Sequence, residues 1–168
     1  SVELEVFAHG AICVCYSGLC LLSSMQRGKS ANRGLCRQPC RLPYRLVDEK
    51  GTQRDRMNGT RLMSPRDNCT IADIDALVEA GCASMKLEGR MKAPDYVGTV
   101  TKAYRAALDE WEQGEDPRVD AAVMRDLARA FNRNFTDGYL HDKHDNDFMS
   151  YERGNNRGQY AGSIIQAK

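Results

Sequence analysis

Seven cysteines, at positions 13, 15, 20, 36, 40, 69 and 82, carry most of the chemical potential of this 168-residue chain. The number is odd, and nothing at the start resembles a secretory leader. A reduced setting with metal ligation therefore reads better than a disulfide framework, with buried structural thiols as the other reading. Cys13 and Cys20 enclose six residues, Cys36 and Cys40 enclose three, and a glycine-containing loop separates the two pairs. That spacing supplies four thiolates for one centre, either zinc or an iron–sulfur cluster. The tight CxxC knuckles usual in structural zinc sites are absent, so the spacing points to a metal more than to which metal. Of Cys13 and Cys15, only one is expected to join the centre. Cys15 and Cys82 are read as structural.

Charge adds a second argument. The formal net charge is only +1, so no global field draws this protein to nucleic acid or membrane. Locally the picture differs. His9 to Arg41 holds Arg27, Lys29, Arg33, Arg37 and Arg41, and no carboxylate occurs from Val6 to Val47. Buried thiolates need compensating cations, and the same arginines could hold RNA phosphates or other anions. For any single arginine, a solvated loop is as good an account.

Other residues could take part in catalysis. Lys86, Glu88 and Arg90 alternate at the end of a strand-like run, where barrel folds present charged groups to an active site; a surface salt bridge is the alternative. His9 follows a strand and precedes the cysteines, a good position for a site residue. His141 and His144 fall in an Asp- and Lys-rich stretch and read as solvated. HExxH, GxSxG, P-loop and GxGxxG patterns are missing, so no standard hydrolase mechanism assembles. A cysteine nucleophile with His9 as base is formally possible, but a thiol cluster argues against an isolated reactive cysteine.

The elements that must position these residues read as α/β. Val2 to Phe7 alternates apolar and charged residues, a half-buried strand that His9-Gly10 should end. Leu42 to Val47 and Thr60 to Met63 are possible strands around a polar surface loop, Asp48 to Asn58. Ser64 to Asp67 reads as a turn. Thr70 should cap a helix with Ile71, Ile74, Leu77 and Val78 on one face, ending at Gly81. Cys82 to Leu87 reads as a strand. Pro94 opens a helix with Val97, Val100, Tyr104, Leu108 and Trp111 in register, and Asp116-Pro117 opens another with Val119, Val123, Leu127 and Phe131. Asn134 to Ser150 is loop-like, and Gln159 to Ile165 looks like the first strand of another module. The order suggests parallel pairing, as in part of a barrel. No apolar run could span a bilayer, so no membrane partner is expected. The chain opens at Ser1 directly into a strand-like run, which suggests part of a longer protein.

Several stretches together resemble a known family. Glu5 to Cys13 (EVFAHGAIC) and Tyr16 to Ser24 (YSGLCLLSS) closely resemble the signature of peptidase family U32, the collagenase-like proteases. Asn32 to Arg41 (NRGLCRQPCR), Leu62 to Asp67, Met85 to Lys92 (MKLEGRMK), Phe131 to Tyr139 and Met149 to Arg153 follow in the family's order. The resemblance implies the C-terminal portion of a TIM-barrel-like domain followed by the start of a small β domain. Residues 1–131, with the cysteine segment 9–41, would belong to the first; residues 132–168 would be a linker and the start of the second. The missing N-terminal half would supply the other strands. It also implies ligation by Cys13, Cys20, Cys36 and Cys40, with Cys69 as an alternative fourth ligand, and glycine where Asn134 stands. Its members include RNA hydroxylation proteins, and the paired cysteine form fits the branch that makes 5-hydroxyuridine in tRNA with prephenate and a 4Fe-4S cluster. The expected function is thus cytoplasmic tRNA uridine hydroxylation, and the alternative is collagenase-like peptide hydrolysis.

Overall fold

Four short strands form one mixed sheet in the computed structural model, which describes residues 2–54, 60–142, 148–158 and 160–166. They are β1 (Glu5–Ala11), β2 (Asp67–Cys69), β3 (Ser84–Leu87) and β4 (Phe135–Thr136), in the order β3-β1-β2-β4. The expected parallel pairing holds for β1 with β3 and for β2 with β4, but β1 and β2 run antiparallel. The architecture is therefore mixed α/β, and the antiparallel central pair departs from an all-parallel barrel sheet.

The first strand runs through His9-Gly10 to Ala11 rather than stopping there. Two neighbours cover it, and a bulge between Phe7 and His9 absorbs the register change against β3. Gly10 is required at this point. Its φ of +136° suits glycine, and a Cβ here would sit 2.8 Å from that of Glu88. Leu42 to Val47 and Thr60 to Met63 form no strand. They are irregular segments joined by a hydrogen bond from the Tyr44 amide to the Thr60 carbonyl. The loop expected over Asp48 to Asn58 lies partly outside the described residues, and Asp67, read as part of a turn, instead starts β2.

Helices lie on the sheet where periodicity places them. Thr70 does not cap with its side chain; its hydroxyl donates to the Ala8 carbonyl at 3.1 Å. A 3-10 turn, Ile71–Asp73, leads into α2 (Ile74–Glu79). Pro94 is the first residue of α3 (Pro94–Glu112), which buries Tyr96, Val100, Tyr104 and Ala107. The next helix begins later than Asp116-Pro117 suggests, because Asp120 is the cap: its carboxylate accepts from the amides of Ala122 and Val123, and α4 spans Ala121–Ala130. Ala8, Ile71, Ile74, Val100, Tyr104 and Leu127 make one core between sheet and helices. Each large apolar side chain buried there contributes roughly 1.5–3 kcal/mol.

Past residue 131 the chain returns to this body. Phe135 and Thr136 form β4, the Arg61 and Arg66 amides donate to the carbonyls of Tyr151 and Phe148, and Arg157 donates to Asn132. Tyr160 to Ile165 form no strand; Gln159 lies outside the described residues. Asn134 has φ +67°, the left-handed conformation in which asparagine substitutes best for glycine. That accounts for the departure from the family pattern. No helix among the described residues is long and apolar enough to cross a membrane.

An ion pair closes the sheet. The Arg133 guanidinium donates to Asp67 Oδ1 at 2.5 Å and 3.1 Å and to Oδ2 at 3.3 Å, and both side chains are 4% exposed. Asp67→Ala would leave a buried guanidinium unpaired and should cost roughly 3–5 kcal/mol. Urea denaturation of the full protein checks this, and adding Arg133→Met should recover part of the loss. A cost under about 1 kcal/mol would show that water reaches the pair.

Candidate functional site

Beyond Ala11 the chain leaves the sheet and makes two loops that face one another. The first runs from Ile12 to Leu21 and turns at Gly18 (φ +83°). Helix α1 (Leu22–Arg27) follows and ends at Gly28. The second loop passes through short 3-10 turns at Ala31–Arg33 and Pro39–Arg41. The Asn32 side-chain amide donates to the Gly18 carbonyl at 2.9 Å and ties the loops together.

Cys13, Cys15, Cys20, Cys36 and Cys40 line one cavity of about 690 Å³ between these loops. The structure thus brings together the four cysteines singled out by spacing, and adds Cys15. Its region is a series of bends rather than an extended strand, so strand geometry is no guide to which thiols share a wall. Cys69 sits elsewhere, on β2, in a cavity with Asp73, Phe135 and His141, and burial pushes its thiol up to about 11. Cys82 lies two residues before β3, where its amide donates to the Leu77 carbonyl, outside the cysteine cavity.

The donor set suits a thiolate-bound group. Cys36 sulfur accepts from the Gln38 amide at 3.3 Å and faces the buried Ser23 hydroxyl at 3.7 Å. Ser23 in turn accepts from the Arg37 amide at 2.9 Å, so its orientation is fixed. Donors aimed at sulfur stabilise the anionic form. Burial pushes the Cys40 thiol up, Arg41 pulls it down, and Cys13, Cys36 and Cys20 add to the upward push. Among the described residues, no carboxylate lines this cavity, and no group of three or more His, Cys, Asp or Glu side chains is drawn close enough to hold a metal ion. The five thiols share the wall of the cavity.

The basic residues divide. Arg27, Lys29 and Arg37 are exposed and line a separate cleft with Leu42. Arg33 is exposed outside it. Arg41 is not available to RNA: it is buried, and its guanidinium donates to the Ser64 hydroxyl, the Pro65 carbonyl and, at 2.8 Å, the Ile12 carbonyl. Charge counting could not show this, because it ignores which acceptors tertiary contact supplies.

The expected catalytic residues also divide. His9 is fully buried among Tyr96, Tyr104 and Phe135; its Nδ1 lies 3.4 Å from the Tyr104 hydroxyl, and its Nε2 has no hydrogen-bond partner among the described residues. It cannot serve a cysteine nucleophile from there. Lys86 is exposed on β3, away from the cavities that hold Glu88 and Arg90. Arg90 lines the cysteine cavity and a second one next to it, where Glu88 also lies. His141 is paired with Asp73 at 2.7 Å, and His144 lies outside the described residues. Two residues were missed. Arg133 lines the second cavity, and half-buried Lys92 lies over the Phe131 and Tyr96 rings, its pKa pushed down to about 8 by burial. Both fall inside the family-like stretches, the one signal that could have found them.

The model of peptidase family U32 matches residues 1–150. A collagenase of Porphyromonas gingivalis is 41% identical over 140 residues, covering 82% of this chain and 34% of its own length. The 23S rRNA 5-hydroxycytidine C2501 synthase of Escherichia coli is 40% identical over 144 residues, covering 82% and 22%. The tRNA hydroxylation protein P1 of Bacillus subtilis is 37% identical over 155 residues, covering 82% and 36%. The chain therefore spans well under half the length of these relatives. No solved structure matches it.

His9 gives a pH prediction. Burial lowers its pKa from 6.5 to about 4, with Asp67 opposing and Lys92 assisting. Between those values the unfolded chain binds more protons than the folded one, so stability falls as pH falls, by about 3 kcal/mol in total by pH 4. Urea midpoints measured from pH 7 down to pH 5 should show this acid limb, and His9→Leu should flatten it. An unchanged slope would mean that His9 is solvated.

Proposed function

This chain belongs to peptidase family U32, and from that premise we propose that it forms the cofactor-bearing wall of an RNA-hydroxylating protein. The reaction we assign is hydroxylation of a pyrimidine base, tRNA uridine first, with prephenate as co-substrate and in the cytoplasm. Cys13, Cys20, Cys36 and Cys40 would hold a 4Fe-4S cluster, and Arg27, Lys29, Arg37 and Arg33 would meet RNA phosphates. The observation that carries this reading is the gathering of those four thiols on one cavity that no carboxylate lines among the described residues, with an exposed basic cleft formed by the same chain segment. Four cysteines on one cavity wall suit thiolate ligation, the usual anchorage of iron–sulfur clusters. A bound cluster supplies one-electron chemistry that side chains lack. The mixed sheet would be the later part of a barrel, completed by the rest of the full-length protein, with residues after 131 leading into a small β domain.

The collagenase relative keeps peptide hydrolysis as a second reading. Its chemistry is harder to build from these residues: His9 is buried, and His141 pairs with Asp73 in a cavity separate from the clustered thiols.

Anaerobic expression of the full-length protein should give a coloured preparation containing iron and sulfide. Cys36→Ala and Cys40→Ala should each lower the iron content severalfold. RNA from cells lacking the protein should carry a pyrimidine one oxygen atom lighter at a defined position, visible by mass spectrometry. A colourless, zinc-loaded protein, or collagen-peptide cleavage that survives loss of these cysteines, would overturn the proposal.

A further inference from the structure

Tyr16 is the one aromatic side chain on the wall of the cysteine cavity among the described residues, and it is 84% exposed. Neither its ring nor its hydroxyl has a partner among the described residues. A large ring with an apolar face gains free energy when something covers it. Single exposed apolar side chains are ordinary on any surface. This one differs in that the backbone beneath it is fixed.

The Leu19 amide donates to the Tyr16 carbonyl at 3.2 Å and closes a turn over residues 16–19. Gly18 is the third residue of that turn, and its φ of +83° is one that glycine adopts without strain. From the facing loop, the Asn32 side-chain amide donates to the Gly18 carbonyl at 2.9 Å. The turn therefore cannot swing away from the second cysteine loop without losing that bond. Leu19, 68% exposed, lines the same cavity, so the turn presents one aromatic and one aliphatic side chain beside the thiols.

The cations continue into this place. Arg37 lines the basic cleft with Arg27 and Lys29, and it also lines a cavity that shares Cys13, Cys36 and Cys40 with the thiol cavity. Cations that meet a backbone, followed by an exposed ring, are what single-stranded RNA requires: phosphates track the charge and unstacked bases lie on aromatic faces. A base that is to be modified must leave its own stack, and a protein ring replaces the contact it gives up. A leucine of similar reach buries area but offers no π-face.

We infer that Tyr16 is the stacking platform that holds the target pyrimidine of single-stranded RNA at the thiol cavity, a positioning residue carried on a turn that Asn32 pins. The inference rests on the RNA reading above and deepens it by naming the side chain that receives the base.

The test uses the full-length protein prepared anaerobically, with iron and sulfide counted in every sample. The probe is a short single-stranded RNA of uridines carrying one pyrrolocytidine, a fluorescent pyrimidine whose emission changes on stacking. Affinity is read by anisotropy of an end label, and stacking by pyrrolocytidine emission. Tyr16→Leu should weaken binding roughly fivefold to a hundredfold, the loss expected for one base–aromatic stack, and abolish the emission change. Tyr16→Phe should restore both, because the ring and not the hydroxyl is used. Arg27→Ala should weaken binding and steepen no emission change, since it meets backbone alone. Iron content should be the same in all of them, as expected for an exposed side chain. RNA bound equally by Tyr16→Leu and the unaltered protein would overturn this inference alone, and would mean that another part of the protein covers the ring or receives the base. Failure of Tyr16→Phe to restore binding would overturn it too, since a hydrogen bond would then be the interaction lost. Displacement of the RNA by a collagen-like peptide in a Tyr16-dependent way would overturn it in favour of a peptide site. Absence of all RNA binding would defeat the RNA reading and this inference together, whereas absence of iron with Tyr16-dependent binding intact would defeat the cluster assignment alone and leave this inference supported.

Discussion

The pairing of Asp67 with Arg133 is the constraint on which the rest of the structure depends. Each side chain is 4% exposed, so each charge has given up most of its hydration. Such burial is tolerable only with the partner in place and the remaining hydrogen-bonding capacity met. Both conditions hold: the carboxylate also accepts from the Arg133 amide at 2.8 Å. One contact thereby joins the first residue of β2 to the segment after α4. It also sets β4 against β2, a pairing whose two residues would have no independent stability. Lys92, which pins the Phe131 ring, and His9, buried behind β2, both feel the Asp67 charge.

From that pair the electrostatics pass outward to the thiols. Burial and the neighbouring Arg133 charge together push Arg41 down to about 10, but it stays cationic at neutral pH. Its donors hold the Ile12 carbonyl, where β1 gives way to the first cysteine loop, and the Ser64 and Pro65 backbone region, where the chain approaches β2. The same residue therefore fixes the loop and supplies a fixed positive charge beside Cys40 and Cys13. Its own peptide is fixed as well: the Arg61 guanidinium donates to its carbonyl at 3.1 Å, and Gly154 packs where a Cβ would collide with it. A surface arginine could be replaced by lysine at little cost. This one cannot, because three acceptors in different directions need a fork.

How much of this was legible in the sequence depended on how far each feature relies on tertiary contact. Helix α3 was legible because Pro94 marks its start and Val100 and Tyr104 recur on its buried face, all local signals. Strand β2 was not: Asp-Asn-Cys has little strand propensity and pairs only because β1 and β4 flank it. Asp120 was passed over as a cap because Asp116-Pro117 gives the stronger local pattern, while the first helical turn forms four residues later. The four clustered cysteines were legible from spacing. Cys15 and Cys69 were not, because one lies in a bent loop whose course no periodicity describes and the other on a strand that the sequence does not announce. His9 was read as following the strand, whereas it lies within β1, and chain proximity to the cysteines says nothing of side-chain direction. It points into the aromatic core.

Two opposing effects meet at the cysteine cavity, and their balance governs what it can hold. Val14, Tyr16, Leu19 and Leu21 line it and stand exposed, while Arg90 lines it too and Arg41 lines the adjoining cavity that shares three of its cysteines. Anything that covers those apolar side chains removes water from the thiols. Removal of water raises the cost of each thiolate and, in the same step, strengthens its attraction to Arg41 and Arg90, because both effects scale inversely with the local dielectric. Cys40 already shows the two acting together, with burial pushing its thiol up and Arg41 pulling it down. A lone thiolate there would lose the contest once covered. Several thiolates sharing one positively charged centre would not, since the centre itself cancels their mutual repulsion. On the proposed reading, that is why a group binding all the sulfurs at once would be favoured over a single reactive cysteine.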